Sequence, residues 1–252
     1  MSEYDQTYKE QFDLLTFHTD EYKQSIPFIE TTLLPKLPQQ GHFLDVGAGR
    51  GTISMPMSRH FDHTTIVEPN TVYFQEVLDW AKGVGVSLDG HNGDWLEIDS
   101  SPIQADLAVL SHVLYFVPYA NRSQFVRKAY NCVKRGGYMV IILISATSGI
   151  NHLYRTLLAP QDYKEMPSIE SVVVDLRAEG YDNMHLTMFD ADIHLPTVEE
   201  MHELMDFLVV DKVAFDNDDM LAKRDQYIRD YLEKESSYNI NSNIGVLSIY
   251  KQ

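Results

Sequence analysis

At 252 residues with 44% hydrophobic content, the chain carries enough apolar material for one sizeable core, and its formal charge of −17 argues against nucleic acid as a partner. A single cysteine, Cys132, excludes an internal disulfide, and the longest apolar run, 139–144, is far too short to span a bilayer. The opening Met1-Ser2-Glu3-Tyr4-Asp5 has neither a basic n-region nor an apolar h-region, so the expectation is a cytoplasmic protein with no membrane partner.

Tyr8, Phe12 and Leu15, then Tyr22, Ile26, Ile29 and Leu33, recur at helical spacing and predict two amphipathic helices broken near 16–20. Pro35 and Pro38 end the second, and 1–40 reads as a helical lid. From 43 to 145 the pattern alternates strands (43–46, 64–67, 86–91, 107–110, 138–145) with helices (52–59, 71–82, 122–133). Gly136-Gly137 marks a loop into the last of these strands. That alternation predicts an α/β, doubly wound, Rossmann-like sheet.

Beyond 149 the pattern predicts a helix at 168–179 that starts on Ser-x-x-Ser and ends at Gly180, then one strand at 185–195. Thr197-Val198-Glu199-Glu200 is a capping box opening a helix with Met201, Leu204, Met205 and Leu208 on its apolar face. The charged segment 216–236 offers Leu221, Ile228, Tyr231 and Leu232 as a buried stripe, and 243–250 reads as a final strand. No repeat or linker intervenes, so 1–252 is expected to be one domain, with 41–148 as its core and 149–252 as substrate-side additions.

The segment Phe43 to Thr52 reads as a buried strand that breaks into a helix through Gly47-x-Gly49-x-Gly51, a turn on which a nucleotide-type ligand can lie directly against backbone. Glu68 follows the second strand about twenty residues later, where a carboxylate accepts both ribose hydroxyls of an adenosine. Asp45, just before the glycines, would repel a pyrophosphate but accept from an amino group. Asn92-Gly93-Asp94-Trp95 places an acid and a ring after the third strand, and a Gly-Lys-Ser/Thr triphosphate signature is absent.

Leu44-Asp45-Val46-Gly47-Ala48-Gly49-Arg50-Gly51, Val67-Glu68-Pro69, Gly93-Asp94-Trp95 and Val133-Lys134-Arg135-Gly136-Gly137 together resemble the motif series of class I S-adenosylmethionine-dependent methyltransferases. The resemblance implies a seven-stranded sheet whose last strand is antiparallel, and S-adenosyl-L-methionine as cofactor. It places Asp45, Gly47, Ala48 and Gly49 at the methionine part, Glu68 at the ribose, Asp94 and Trp95 at the adenine, and Pro69 and Ser111 among the cofactor-binding residues.

His18-Thr19-Asp20-Glu21, Val113-Leu114-Tyr115-Phe116-Val117, 141–149, Met205-Asp206-Phe207-Leu208 and Asn243-x-x-x-Leu247-Ser248-Ile249 are similar, in order, to segments of the histamine N-methyltransferase type. This narrower resemblance implies Tyr8, Phe12, Glu21, His112, Tyr115, Phe116, Tyr154 and Asn243 as substrate-binding residues. His112 stands where that type has a glutamine, and Ile150 and Tyr154 replace two tryptophans of its aromatic wall.

Methyl transfer from a sulfonium is an in-line displacement, so the protein supplies alignment and no nucleophile. His112 reads either as a general base, the one candidate catalytic residue, or as a packed, hydrogen-bonded side chain. Tyr115 and Phe116 suit a cationic ring, and Glu21 suits an ammonium tail. No metal is expected, because Ser111-His112-Val113 lacks clustered carboxylates. The expected activity is N-methylation of a small, cationic amine or imidazole compound. The alternatives are O- or carboxyl-methylation of a small metabolite, or cofactor binding without turnover.

Overall fold

The computed structural model describes residues 3–163, 166–209, 218–234 and 237–252, leaving out the side chains of 3–8, 161 and 234. In chain order come α1 (Glu3–His18), α2 (Tyr22–Phe28), β1 (His42–Val46), α3 (Ser54–Met57), β2 (His63–Val67), α4 (Thr71–Val84) and β3 (Leu88–His91). β4 (Ala105–Ser111), α5 (Tyr119–Cys132), β5 (Val133–Ile144), α6 (Gly149–Leu157), α7 (Pro160–Tyr163) and α8 (Ile169–Ala178) follow. The rest is β6 (Met184–Phe189), β7 (Asp192–Leu195), α9 (Val198–Leu208), α10 (Asp218–Tyr227), β8 (Glu233–Lys234), β9 (Ser237–Asn241) and β10 (Ile244–Tyr250). Two compact units divide the chain: Tyr22–Leu143, Pro167–Phe189 and Gly245–Gln252 make the larger, while Met1–Glu21, Ile144–Met166 and Asp190–Ile244 make the smaller.

The larger unit is built on a seven-stranded sheet in the order β3-β2-β1-β4-β5-β10-β6. β1 to β5 pair in parallel, as expected for strands buried on both faces: β1 and β2 are buried at four of five positions and β4 at six of seven. β10 is antiparallel, since Lys251 and the Gly136-Gly137 pair exchange main-chain hydrogen bonds in both directions. α4 shows how local signals bound an element. Asn70 caps it by accepting from the Val72 and Tyr73 N–H groups, and Gly85 ends it at φ 73°. Val86 then donates to the Ala81 carbonyl, which delays β3 to Leu88 from the expected 86.

Several expectations are corrected here. The helix expected at 52–59 is α-helical only over Ser54–Met57 and continues as a 3₁₀ turn at Ser58–His60. Gly136-Gly137 is not a loop but part of a bulge inside β5, where four residues of β5 stand against one of β4 between the Ala105–Val133 and Leu107–Tyr138 pairs. Gly136 has φ 87°, and a Cβ on Gly137 would lie 2.5 Å from the Asp106 carbonyl oxygen, so both glycines serve close approach. Asp106 anchors this end of the sheet by accepting from the Gly41 and His42 N–H groups and from Lys134 at 3.0 Å. Burial pushes its carboxyl up, but Lys134, Gln39 and His42 together hold it below the ordinary value.

Part of the stretch read as a lid belongs to the larger unit. α2 runs into a π-helical turn at Ile29–Leu33 closed by the Leu34 N–H on the Ile29 carbonyl, and Ile29, Leu33 and Leu34 are buried. The smaller unit holds α1, α6, α7, α9, α10 and a sheet in the order β7-β9-β8. The strand expected at 185–195 is therefore two strands in two sheets, separated at Asp190-Ala191. The Thr197 capping box forms, with Glu200 reciprocating, and α9 buries Met201, Leu204, Met205 and Phe207, whereas Leu208 is only half-buried. Of the stripe expected in 216–236, Ile228 and Leu232 are buried, but Tyr231 is 57% exposed and Tyr227 takes its place at 3%. The cause is a π-helical turn at Ile228–Leu232, which rotates the apolar face; 216–217 and 235–236 lie outside the described residues.

β3 reaches the sheet edge only because Gly90 lacks a side chain: a Cβ there would sit 2.1 Å from the Ile66 carbonyl oxygen. Gly90→Ala is expected to lower unfolding free energy by about 2 kcal/mol or more, read as a reduced denaturant midpoint at unchanged m-value.

Candidate functional site

At the C-terminal end of β1 the chain turns through Gly47, Gly49 and Gly51 at φ 78°, 53° and 82°, all left-handed. A Cβ on Gly47 would lie 2.6 Å from Val113 Cγ2, and one on Gly51 2.8 Å from Val77 Cγ2, so conformation and space both demand glycine. The Gly47 and Ala48 N–H groups donate to the Val67 carbonyl at 2.8 and 3.2 Å, fixing the turn to the end of β2. Glu68, 6% exposed, adds a second tie: its Oε2 accepts from the Gly49 N–H and its Oε1 from the Asn70 N–H, both at 2.7 Å. Pro69 follows, and the Asn92 amide donates to the Glu68 and Pro69 carbonyls at 2.8 and 3.1 Å, closing the β2 and β3 ends together.

Burial pushes the Glu68 carboxyl up, while the Asn70 and Gly49 N–H groups pull it back. Asp45, 2% exposed, lies beneath the turn and accepts a short hydrogen bond from Ser54 Oγ. Burial and, to a smaller extent, the charge of Glu68 raise its pKa to about 7 against the Ser54 hydrogen bond.

After β3, Asp94 Oδ1 accepts the Leu96 N–H at 2.7 Å and Asp94 itself is exposed. Trp95 does not present a ring face for an adenine. It is 3% exposed, its indole N–H donates to the Phe125 carbonyl at 3.1 Å, and it packs edge-on against the Phe125 ring in the core. At the end of β4, Ser111 Oγ is buried with no hydrogen-bond partner among the described residues. His112 adopts φ 52°, which is unusual for a side chain with a Cβ, and its ring stacks on Tyr115 at 5.9 Å and 20°. Tyr115 is half-buried, and Phe116 is 62% exposed. The larger unit thus brings Asp45, Gly47, Ala48, Gly49, Glu68 and Pro69 together at adjoining strand ends. Ser111 ends β4, the strand paired with β1, and His112 follows it.

The smaller unit carries the other expected residues. Tyr8 lies on α1 with its side chain outside the described part, and Phe12 packs on Phe207 of α9 at 6.2 Å. Glu21 is 5% exposed, just after the Thr19–Ile193 bridge. Asp20 and Asp192 exchange hydrogen bonds, Asp192 accepts from Asn241, and Asn241 donates to Asn243 Oδ1 at 2.8 Å. The Asn243 carbonyl accepts the Ser145 N–H at 2.7 Å. Tyr154 is 4% exposed, and burial drives its phenol far above the ordinary range. Sequence reasoning missed Ser54, Asn70 and Val113; only Asn70 had a local signal, the helix cap before Thr71.

A sequence model of the family described as a methyltransferase domain matches residues 18–206. No curated protein matches the chain, so the narrower likeness to the histamine N-methyltransferase type gains no support. Among solved structures, the YcgJ protein from Bacillus subtilis superposes with TM-score 0.62 at 10% identity, over 89% of this chain and 98% of its own. A putative methyltransferase from Bacillus halodurans gives 0.58 at 16%, over 86% and 96%. An S-adenosylmethionine-dependent methyltransferase from Clostridium acetobutylicum gives 0.51 at 12%, over 92% of each chain. At such identities these likenesses concern the fold, and they agree with the seven-stranded sheet.

The raised Asp45 pKa has a sign that can be measured. The native carboxyl keeps its proton up to about pH 7 while the unfolded one loses it near 3.8, so this group's contribution to stability falls as pH rises between those values and is flat above. Asp45→Asn removes that dependence. It should gain on the order of 2–4 kcal/mol relative to wild type between pH 4 and pH 8, in denaturation without ligand.

The family match covers most of the chain, and the chain belongs to the methyltransferase-domain family as an S-adenosylmethionine-dependent enzyme.

Proposed function

We propose that this enzyme methylates a nitrogen of a small amine or imidazole compound bearing a cationic tail, and that the whole chain works as one methyltransferase domain. The observation that carries the reading is the pairing of buried carboxylates with uncharged donors: Asp45 with a hydroxyl, Glu68 with two main-chain N–H groups. A cationic ligand at such a site favours the ionised carboxylates over the protonated form that burial promotes in the empty protein. The residues fit S-adenosyl-L-methionine, which supplies the activated methyl group when bound. Asp45 would answer its ammonium, the glycine turn would admit its methionine part, and Glu68 would accept the ribose hydroxyls on remaining lone pairs. Pro69 would line the donor, and Ser111 Oγ, buried with no hydrogen-bond partner among the described residues, would hydrogen-bond it. Asp94 would read the adenine edge.

For the acceptor, Glu21 and Asn243 of the smaller unit are the proposed anchors, with Phe12 and Tyr154 as aromatic surface and Tyr8 as a further contact; in the larger unit Tyr115 and Phe116 are the aromatic residues proposed for the acceptor. A carboxylate on the reacting amine would raise its pKa and oppose transfer, so Glu21 is assigned to the tail. An imidazole nitrogen, mostly neutral near pH 7, attacks without deprotonation beforehand. His112 would take the proton released on transfer, and its left-handed backbone marks a position under functional constraint.

Titration calorimetry with S-adenosylhomocysteine tests the donor half: wild type should bind, and Glu68→Ala should weaken binding by about tenfold or more as charged hydrogen bonds are lost. Failure of wild type to bind would remove the reading. A methyl-transfer screen over amines, imidazoles, phenols and acids tests the acceptor half. Glu21→Gln should raise KM for cationic acceptors by about tenfold and leave neutral ones within about twofold. Turnover confined to phenols or acids would replace N-methylation with the O- or carboxyl-methyl alternative.

A further inference from the structure

Lys128, on α5, sits in an unusual place for an ammonium. It donates to the main-chain carbonyls of Trp95 and Ile98, the latter at 2.6 Å, and lies 4.8 Å from the centre of the Trp95 ring. The same helix grips this loop a second time, three residues earlier, where the Phe125 carbonyl accepts the Trp95 indole N–H. The loop so held is a tight turn that begins at Asp94: Glu97 and Ile98 N–H groups both donate to the Asp94 carbonyl, and Leu96 N–H donates to its carboxylate. Burial lowers the Lys128 pKa, and the nearby charges of Cys132, Asp94 and Asp99 raise it in part.

We infer that Lys128 is a positioning residue for the adenine end of the donor site: it fixes the turn 94–98, and through it the direction of the Asp94 carboxylate. The inference rests on the proposed role of Asp94 in reading an adenine. The ammonium's two carbonyl bonds and its ring contact hold Trp95 on the core side of the turn. Asp94, one residue earlier, is thereby kept on the solvent side with one carboxylate oxygen committed to Leu96. An amino group on a purine is then recognised by geometry, not by charge alone.

The test compares S-adenosylhomocysteine with S-inosylhomocysteine, in which an oxo group replaces the 6-amino group, by calorimetry on the full-length protein. Wild type should favour the adenosyl compound by about fivefold or more, the size of one hydrogen bond. Lys128→Met should bring the two affinities within about twofold of each other while the inosyl affinity changes little, and Lys128→Arg should restore the preference. A preference that survives in Lys128→Met overturns the inference, as does a uniform loss for both compounds. If wild type shows no preference while binding both, the Asp94 reading fails instead. Should Lys128→Met not fold, Lys128→Gln decides: the preference must fall in Lys128→Gln and persist in Lys128→Arg, and an equal preference in both variants overturns the inference.

Discussion

Glu68 fastens the two turns on which the larger unit's strand ends depend. One carboxylate oxygen takes the Gly49 N–H and the other the Asn70 N–H, so the glycine turn after β1 and the cap of α4 are referred to a single anion. The same residue's main chain accepts from Gly93 and Asn92, drawing in the end of β3. Three consecutive crevice-lining turns therefore share one centre. Because its donors are neutral N–H groups, the negative charge is stabilised without being cancelled. With Asp45 buried alongside, the turn has the opposite electrostatic preference from a pyrophosphate-binding glycine loop, in which backbone N–H groups face an anion.

The end of β4 is tied to that turn by shape. Val113 fills the space that a side chain on Gly47 would need, and His112, immediately before it, holds a left-handed backbone. For a residue with a Cβ this conformation costs about 1–2 kcal/mol. It is maintained by the His112 N–H on the Ile142 carbonyl at 2.9 Å and by the ring stacked on Tyr115. The turn that carries the proposed base thus cannot relax without changing the packing under the proposed donor cradle, which links proton acceptance and donor placement through van der Waals contact.

Much of the larger unit was legible because its information is local. Leu107 to Leu110 is continuously apolar and Phe43 to Val46 is interrupted only by Asp45, as suits doubly covered parallel strands, and Ser168 announces its helix. The misreadings have tertiary causes. Gly136-Gly137 looked like a loop because a glycine pair signals either a turn or a close approach, and the Asp106 carbonyl that demands the approach lies thirty residues away. Period-two alternation ran through Asp190 without revealing a change of sheet. Tyr231 was misplaced because a π-helical turn shifts the phase of the face, and Trp95 because an aromatic residue beside a site is equally suited to the core.

The candidate site was readable where glycines and a carboxylate fall at a fixed offset, and unreadable where its support comes from elsewhere, as with Ser54 under Asp45 or Lys128 behind Asp94. A net charge of −17 does not by itself point to a cationic ligand, since exposed carboxylates also serve solubility. What discriminates is the partner of each buried carboxylate. Asp106, 3% exposed, is answered by the ammonium of Lys134 and needs nothing further: it is a structural clamp at the opposite ends of the strands. Asp45 and Glu68 are also buried but are answered by a hydroxyl and by amides, so ionising them in the empty protein is costly, as the raised Asp45 pKa of about 7 records. Burial without cancellation is costly in the empty protein and is relieved by a cation at that place, so the physical argument for a positively charged donor rests on these two residues and not on the acidity of the chain.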